Sequence, residues 1–161
     1  MGWWQSPYKG VVMNHNESFT DRNKTGINES EIKCEEWMDN NNIFYDRFGF
    51  DLLNKISMKK FMLIPEVLRN KPDYLAIGQK AVLIESKGCN DVLGLKKCDM
   101  VSYDWGNDVL ELRMFLYSKS NQETKQIKYT LLKEIALKCE VGVYHDNGKE
   151  YYKINWGDIM V

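Results

Sequence analysis

The chain has 161 residues, of which 43% are hydrophobic and 28% charged, and this composition is typical of one globular domain with its own core. Its formal net charge of −1 excludes a general attraction to nucleic acid or anionic lipid, so a polyanion site has to be a local basic patch. The four cysteines are scattered and form no CxxC pair, which argues against a zinc site and a secreted disulfide scaffold. We therefore expect a cytoplasmic protein, and no apolar run is long enough to place it in a membrane.

Hydrophobic periodicity along the chain predicts a mixed α/β fold. In chain order, the predicted elements are a helix over about 29–41, a strand over 43–53, strands over 73–77 and 81–87, a short helix after residue 92, a strand over 109–117, a helix over 123–139 and a hairpin over 141–156. Residues 1–25 are polar and aperiodic, and we expect an N-terminal arm there, followed by a single domain over 26–161. Because helices and strands alternate, the prediction is a mixed central sheet flanked by helices, plus a C-terminal hairpin.

The segment 54–71 is ambiguous in structure and strongly basic. One interpretation is a strand interrupted by Pro65. Its acid is Glu66, and its basic residues are Lys55, Lys59, Lys60, Arg69 and Lys71. The segment could be a plain charged surface loop, but its one-sided charge favours contacts to a nucleic-acid backbone.

Further phosphate-binding candidates follow the second strand of the hairpin. Lys96, Lys97 and Tyr103 are predicted to lie on the short helix there. Lysine commonly binds phosphate as a point charge. The alternative for these residues is a solvated helix face without function.

The stretch KPDYLAIGQKAVLIESKG, residues 71–88, places charged residues on two strands that are otherwise apolar. Glu85 and Lys87 are two residues apart and therefore share one face of their strand. A two-residue turn would leave Asp73 on the other face from Glu85. The two acids meet only if the connection has an odd number of residues or a bulge. Gly78 suits such an irregularity because glycine tolerates positive φ.

Two carboxylates on one face with a lysine beside them form a set that can hold a divalent cation. Asp73 and Glu85 would repel each other and need a cation. Mg²⁺ prefers such oxygen ligands and keeps several waters. The ion would bind a scissile phosphate and activate a water, which Lys87 would orient or deprotonate. The residues thus indicate a metal-dependent phosphodiesterase, with a surface ion pair at strand ends as the alternative.

The pattern Pro72-Asp73 followed by Glu85-x-Lys87 resembles the PD-(D/E)xK nuclease superfamily. The restriction-endonuclease-like core of that superfamily is helix, three strands, helix and strand, which matches the predicted order. The resemblance implies that Asp73 and Glu85 bind Mg²⁺, for which Mn²⁺ substitutes. It further implies that the Ser86 carbonyl is a ligand and that Lys87 serves the attacking water.

Glu31 is the candidate for the extra glutamate that members of the superfamily often supply from their first helix. It lies in the apolar stripe of the helix predicted over 29–41, with Glu29 and Glu35 as substitutes for the role. The alternative is structural, because Asn28-x-x-Glu31 also fits a capping box at the helix start.

Within the superfamily, the hairpin, the lysine-bearing helix and the strand LELRMFLYSKS are most similar to phage endonuclease I type Holliday-junction resolvases. The resemblance implies a DNA endonuclease that cuts branched DNA as a homodimer, phage-encoded and acting in the host cytoplasm. Two alternatives stay open. One is a duplex DNA or RNA nuclease with the same metal site, and the other is a non-catalytic nucleic-acid- or protein-binding module on this fold.

Overall fold

The computed structural model describes residues 28–48 and 58–161, which form a mixed α/β fold. The helices are α1 (Glu29–Asn40), α2 (Met58–Phe61), α3 (Glu66–Arg69), α4 (Lys97–Val109) and α5 (Tyr129–Ala136). The strands are β1 (Phe44–Arg47), β2 (Tyr74–Ile77), β3 (Ala81–Cys89), β4 (Val92–Lys96), β5 (Leu112–Ser118), β6 (Glu123–Lys128), β7 (Val141–Val143) and β8 (Glu150–Asn155), and a 3₁₀ turn follows at Trp156–Asp158. None of the helices in these ranges has the length and apolar character needed to cross a bilayer. The arm expected over 1–25 lies outside the described residues.

Two sheets organise the fold. The larger is five-stranded with the order β1-β2-β3-β5-β6. Its β3 and β5 are parallel, and its other neighbouring strands are antiparallel. A parallel pair needs a crossover, and β4 and α4 lie in the chain between β3 and β5 to supply it. The smaller sheet is three-stranded and antiparallel, with the order β4-β8-β7. The predicted mixed sheet with flanking helices is confirmed.

The two faces of the larger sheet bury separate apolar clusters. On one face, Val82 and Ile84 of β3 pack with Cys34 and Met38 of α1. On the other face, Leu83 packs with residues of β4, α4, α5 and β8. Successive side chains of a strand point to opposite faces, which explains this division. Because β3 is covered on both sides, the polar residues Glu85 and Ser86 in its middle are held inside the protein.

The strand considered for residues 54–71 is wrong for the described part of that segment. Two short helices, α2 and α3, replace it. Pro65 has φ −51° and ψ 139°, and its carbonyl accepts hydrogen bonds from the N–H groups of Leu68 and Arg69. A proline cannot donate to a strand ladder but is well suited to the start of a helix, so it begins α3.

The predicted helices after residues 92 and 123 both begin later than expected. Residues 92–96 form β4, which contains Gly94, a poor helix residue, and pairs with β8. Residues 123–128 form β6, which pairs with β5 through a turn in which Gln122 has φ 53°. In both places, pairing with a strand elsewhere in the chain overrides the helical spacing of the apolar residues.

The C-terminal hairpin is present as predicted. β7 and β8 are antiparallel neighbours, and Gly148 in the connecting turn has φ +67°. Its N–H donates to the carbonyl of Tyr144 at 2.8 Å. Glycine is favoured at such a φ because it lacks a Cβ. The hairpin adds to β4 and so brings the start of β8 beside the start of α4.

Candidate functional site

An odd-numbered connection brings Asp73 opposite Glu85. In the pairing of β2 with β3, Tyr74 lies opposite Ile84, and residues 78–80 form the loop. The same register extended by one position sets Asp73 against Glu85. The geometric requirement that the sequence placed on this hairpin is therefore met.

The predicted role of Gly78, a backbone irregularity with positive φ in this connection, is wrong. Among the described glycines, Gly148 has a positive φ and Gly78 does not. Instead, the N–H of Gly78 donates to the carbonyl of Lys80 at 3.2 Å. A tight connection with ordinary backbone angles produces the register, so Gly78 is not needed there for a left-handed conformation.

Glu85 lies in the middle of β3, and Asp73 immediately precedes β2. Glu85 is 7% exposed, and Asp73 is half-buried. The backbone N–H of Ser86 donates to Oδ2 of Asp73 at 2.8 Å. The Ser86 hydroxyl is also buried, and its Oγ has no hydrogen-bond partner in the described part of the chain. Buried polar atoms are seldom unmatched, but this hydroxyl lies on the face of β3 that carries Val82 and Ile84, opposite to Glu85.

Both carboxyl groups have raised pKa values. Burial raises the pKa of Asp73 well above its usual range, and the charges of Glu85 and Glu31 raise it further. Burial also raises the pKa of Glu85, although Lys87 acts in the opposite direction. Burial and like charges both disfavour the ionised acids, and a cation beside them would favour ionisation.

Lys87 lies between two carboxylates. Its Nζ is 3.1 Å from Oε1 of Glu85 and 3.3 Å from Oδ2 of Asp99. Burial acts to lower the pKa of Lys87, but interactions with Tyr103, Glu85 and Asp99 outweigh burial and raise that pKa well above its usual value. Lys87 is therefore a cation at neutral pH. This charge suits orienting a water or offsetting phosphate charge, and it disfavours the role of a base.

Tyr103 belongs to the site, but in a different role from the phosphate contact that the sequence suggested. It is 1% exposed, and its hydroxyl donates to Oε1 of Glu85 at 2.6 Å. Its ring packs edge-on against Tyr129, with centroids 5.6 Å apart. A side chain buried in this way holds Glu85 in place rather than contacting a nucleic-acid backbone. Asp99 and Tyr103 are four residues apart on α4, a spacing that places both on one helix face and could have identified them together.

Glu31 lies on α1, in contact with groups other than the acid pair. Its backbone N–H donates to Oδ1 of Asn28 at 3.0 Å, and its Oε1 accepts from Nδ2 of Asn28 at 2.8 Å. Its Oε2 accepts from Nη2 of Arg47 at 2.8 Å. The helix-capping interpretation is thus present in the structure. Glu31 is nevertheless near enough to raise the pKa of Asp73, so its catalytic role stays a prediction.

Arg47 was not among the residues that the sequence analysis selected. Its Nη2 contacts Glu31 at 2.8 Å and Glu35 at 2.9 Å, and it donates to the Tyr74 hydroxyl at 3.1 Å. Its side chain is 14% exposed, whereas that of Lys87 is 26% exposed. The arginine stabilises the packing of α1 on β1 and β2, while the lysine is the more accessible of the two cations.

The acid pair fits a magnesium site that water and phosphate complete. In residues 28–48 and 58–161, no group of three or more His, Cys, Asp or Glu side chains is arranged to hold a metal ion. Mg²⁺ is usually bound through one or two carboxylates, with waters and substrate phosphates in the other positions. Asp73 and Glu85 meet that description.

The basic residues of the segment 54–71 lie just before β2 in the chain. Lys59 and Lys60 are exposed on α2, and Arg69 is half-buried on α3. The ammonium of Lys71 lies 4.4 Å from the ring centroid of Phe48. Lys55 lies outside the described residues. The expected contacts of this group to DNA stay a prediction.

Lys96 and Lys97 lie at the junction of β4 and α4. Lys96 ends the strand, and its Nζ is 5.4 Å from the ring centroid of Tyr144. Lys97 begins the helix and forms an ion pair with Glu150 at 2.9 Å. Lys97 is thus partly neutralised, which leaves Lys96 as the stronger candidate for a phosphate contact.

Comparisons with family models, with curated proteins and with solved structures found no match for this chain. The resemblance carried by Pro72-Asp73 and Glu85-x-Lys87 therefore stays a prediction. What is known of the site is its geometry: two acids in register, a charged lysine beside one of them, and a buried tyrosine that holds Glu85.

Proposed function

We propose that the protein is a Mg²⁺-dependent endonuclease that hydrolyses phosphodiester bonds in DNA. The observation that carries the proposal is the register of β2 and β3, which sets Asp73 opposite Glu85, with Lys87 3.1 Å from Glu85. A surface ion pair, the simplest alternative, predicts exposed side chains, whereas Glu85 is 7% exposed. Buried acids with raised pKa values destabilise a fold unless a partner takes up their charge.

Each residue of the site has its own task in this proposal. Asp73 and Glu85 would hold Mg²⁺, with the Ser86 carbonyl as a further ligand. Bound there, the ion supplies charge stabilisation at a scissile phosphate and a more acidic water. Lys87 stays protonated, orients the attacking water and offsets charge on the phosphate. Tyr103 fixes the position of Glu85 through its hydroxyl.

The proposed substrate is branched DNA such as a Holliday junction. A two-fold symmetric junction requires paired cuts, so the enzyme would act as a homodimer. The lysines of α2 would contact the phosphate backbone, since both are exposed. The enzyme would act in the cytoplasm, where its four free cysteines stay reduced.

Cleavage of matched substrates tests the proposal. Branched, duplex and single-stranded DNA and a duplex RNA are incubated with Mg²⁺ and wild type, Lys87→Ala or Lys138→Ala. Lys138 is exposed and distant in sequence from the site, so its variant is the control. We expect branched DNA to be cut fastest, and Lys87→Ala to be at least about 100-fold slower than the other two proteins. Equal rates for wild type and Lys87→Ala would overturn the mechanism, and faster cutting of duplex DNA or RNA would overturn the substrate.

A non-catalytic nucleic-acid-binding module is the second candidate. It is favoured by the engagement of Glu85, which already contacts Lys87 and Tyr103. Calorimetry with Mn²⁺ separates the candidates, since the absence of metal binding together with retained DNA binding would support the module.

A further inference from the structure

The outer face of the three-stranded sheet carries aromatic and basic side chains above glycines. Lys96 lies opposite Tyr151, and Gly94 lies opposite Lys153 in the pairing of β4 with β8. Gly142 of β7 lies on the other side of Tyr151. The alternate residues of β4 and β8 point into the core, and Gly142 pairs with Tyr151, so these five residues share the outer face.

Two tyrosine rings lie stacked on this face. The ring centroids of Tyr144 and Tyr151 are 4.2 Å apart with an angle of 29° between the planes. A Cβ at position 94 would lie 2.6 Å from the Tyr144 hydroxyl, and one at position 142 would lie 2.7 Å from the Tyr151 ring. The glycines therefore let both rings lie close against the backbone. Both tyrosines are half-buried, so part of the stack stays open to solvent.

Lys96 gives this face an available positive charge. Its Nζ lies 5.4 Å from the Tyr144 ring centroid. The neighbouring Lys153 and Lys97 are paired with Glu140 at 2.8 Å and Glu150 at 2.9 Å. In the described part of the chain, Lys96 has no such ion pair, so its ammonium is free to meet a phosphate.

The stack borders the candidate site. Lys96 leads directly into α4, which carries Asp99 in its first turn. Asp99 contacts Lys87 at 3.3 Å. The charges of Lys87 and Asp99 also act on the pKa of Tyr144, after burial and the neighbouring Tyr151, which both raise it. A nucleic-acid strand whose phosphate lies at Lys87 would thus pass close to the tyrosine stack.

We propose that the solvent-exposed part of the Tyr144–Tyr151 stack packs on an unpaired base of single-stranded DNA, while Lys96 contacts its phosphate. Aromatic side chains next to positive charge are the usual means of binding single strands, because every base has a π face. This rests on the proposed function and deepens it. It places unpaired nucleotides beside the bond to be cut, as branched DNA supplies them.

Fluorescence anisotropy with a labelled oligothymidylate of about 12 nucleotides tests the stacking surface. Divalent cations are left out, so that nothing is cut. We expect Tyr144→Ala to raise Kd by about 5- to 100-fold and Tyr144→Phe to bind like wild type, because phenylalanine keeps the ring. Lys96→Gln should weaken binding and reduce the slope of log K against log salt by about 0.7, whereas Lys138→Gln should change neither.

A wild-type comparison protects this test against a variant that fails to fold. An abasic oligonucleotide of the same length should bind wild type at least about 5-fold more weakly than oligothymidylate, because it has no base to stack. Equal binding of the two oligonucleotides, or equal binding by folded Tyr144→Ala and wild type, would overturn the proposal. Tighter binding of oligouridylate would overturn its assignment to DNA.

The failure of this proposal and that of the nuclease proposal are distinguishable. Oligothymidylate binding that depends on Tyr144, in a protein that cuts no DNA, would support the stacking surface and overturn the nuclease. Cleavage of branched DNA that depends on Lys87, with oligothymidylate binding unchanged in Tyr144→Ala, would do the reverse.

Discussion

Two sets of carboxylates flank β3 in opposite electrostatic settings. Glu111 lies beside the start of the strand, where Lys80 at 2.9 Å and Arg113 at 2.8 Å lower its pKa to about 2. Asp73 and Glu85 lie at the middle of the strand, where burial raises the pKa of each and like charge adds to the effect at Asp73. Glu111 is paired with cations at the surface. Asp73 and Glu85 are shielded from solvent, and their ionised forms are only partly balanced by nearby cations.

From this difference we infer that Glu111 stabilises the fold, whereas Asp73 and Glu85 would bind a ligand. A surface carboxylate among cations contributes modestly to stability and binds nothing further. Buried carboxylates with raised pKa values make the ionised fold less stable, and a divalent cation would remove that cost. Lys87 only partly does so, because it is shared with Asp99.

Removal of one acid of the pair should have the largest effect. We expect Asp73→Asn to slow cleavage of branched DNA at least about 100-fold, because the metal loses a ligand. Glu111→Gln, a matched acid-to-amide change on the same sheet, should leave the rate unchanged. Initial cleavage rates of both variants are measured at fixed Mg²⁺. Similar losses of rate in the two variants would contradict the proposed difference between the two sets of acids.

Metal should stabilise the protein in a pH-dependent way. In the metal-free protein, the pKa values of Asp73 and Glu85 are higher in the folded state than in the unfolded state. The protonated acids therefore contribute stability below about pH 4, and this stability is lost as pH rises through the raised folded pKa values. Mn²⁺ needs the ionised acids, so its stabilisation should grow over the same range. At about 100 times Kd it should reach about 2.7 kcal/mol. Thermal melts across pH measure this, and a pH-independent increment would contradict it.

Tyr103→Phe should have a smaller effect than loss of an acid. The phenol holds Glu85 and lowers its pKa, so we expect a rate about 10-fold lower. The acidic limb of the pH–rate profile should also move to higher pH, since Glu85 would ionise later. A lower rate without movement of that limb would mean that Tyr103 acts only in packing.

Glu111→Gln should have the smallest effect, and on stability alone. Its pKa of about 2 is below the ordinary value, so its contribution is present above about pH 4 and is lost as pH falls towards that pKa. We expect a loss of about 0.5 to 1 kcal/mol at neutral pH that vanishes near pH 2. Urea unfolding measures it, and a loss that persists at low pH would exclude the ion pairs as its cause.

Local spacing was enough to predict the shared face of Glu85 and Lys87 and much of the fold. The alternation around Glu85 and Lys87 placed both on one face, and the helical stripe through Cys34 and Met38 identified α1. Whether Asp73 lies opposite Glu85 depends on the length of the connecting loop. The sequence showed that an odd number of residues or a bulge was required, but not which connection the chain adopts.

Long-range contacts could not be predicted from the same reasoning. β4 is a strand because β8, far along the chain, pairs with it, and its own residues suggested a helix. Arg47 and Tyr103 enter the account through contacts with Glu31 and Glu85, across elements whose packing no local pattern specifies. The role of Lys87 as a cation likewise depends on Asp99, which comes from α4.

Calorimetric titration with Mn²⁺ near neutral pH tests the central claim most directly. Wild type is compared with Asp73→Asn, Glu85→Gln and the control Glu111→Gln. We expect binding at one site in wild type and Glu111→Gln, and its loss in the other two variants. Absence of heat in wild type, or equal binding in all four proteins, would contradict a cation site between Asp73 and Glu85.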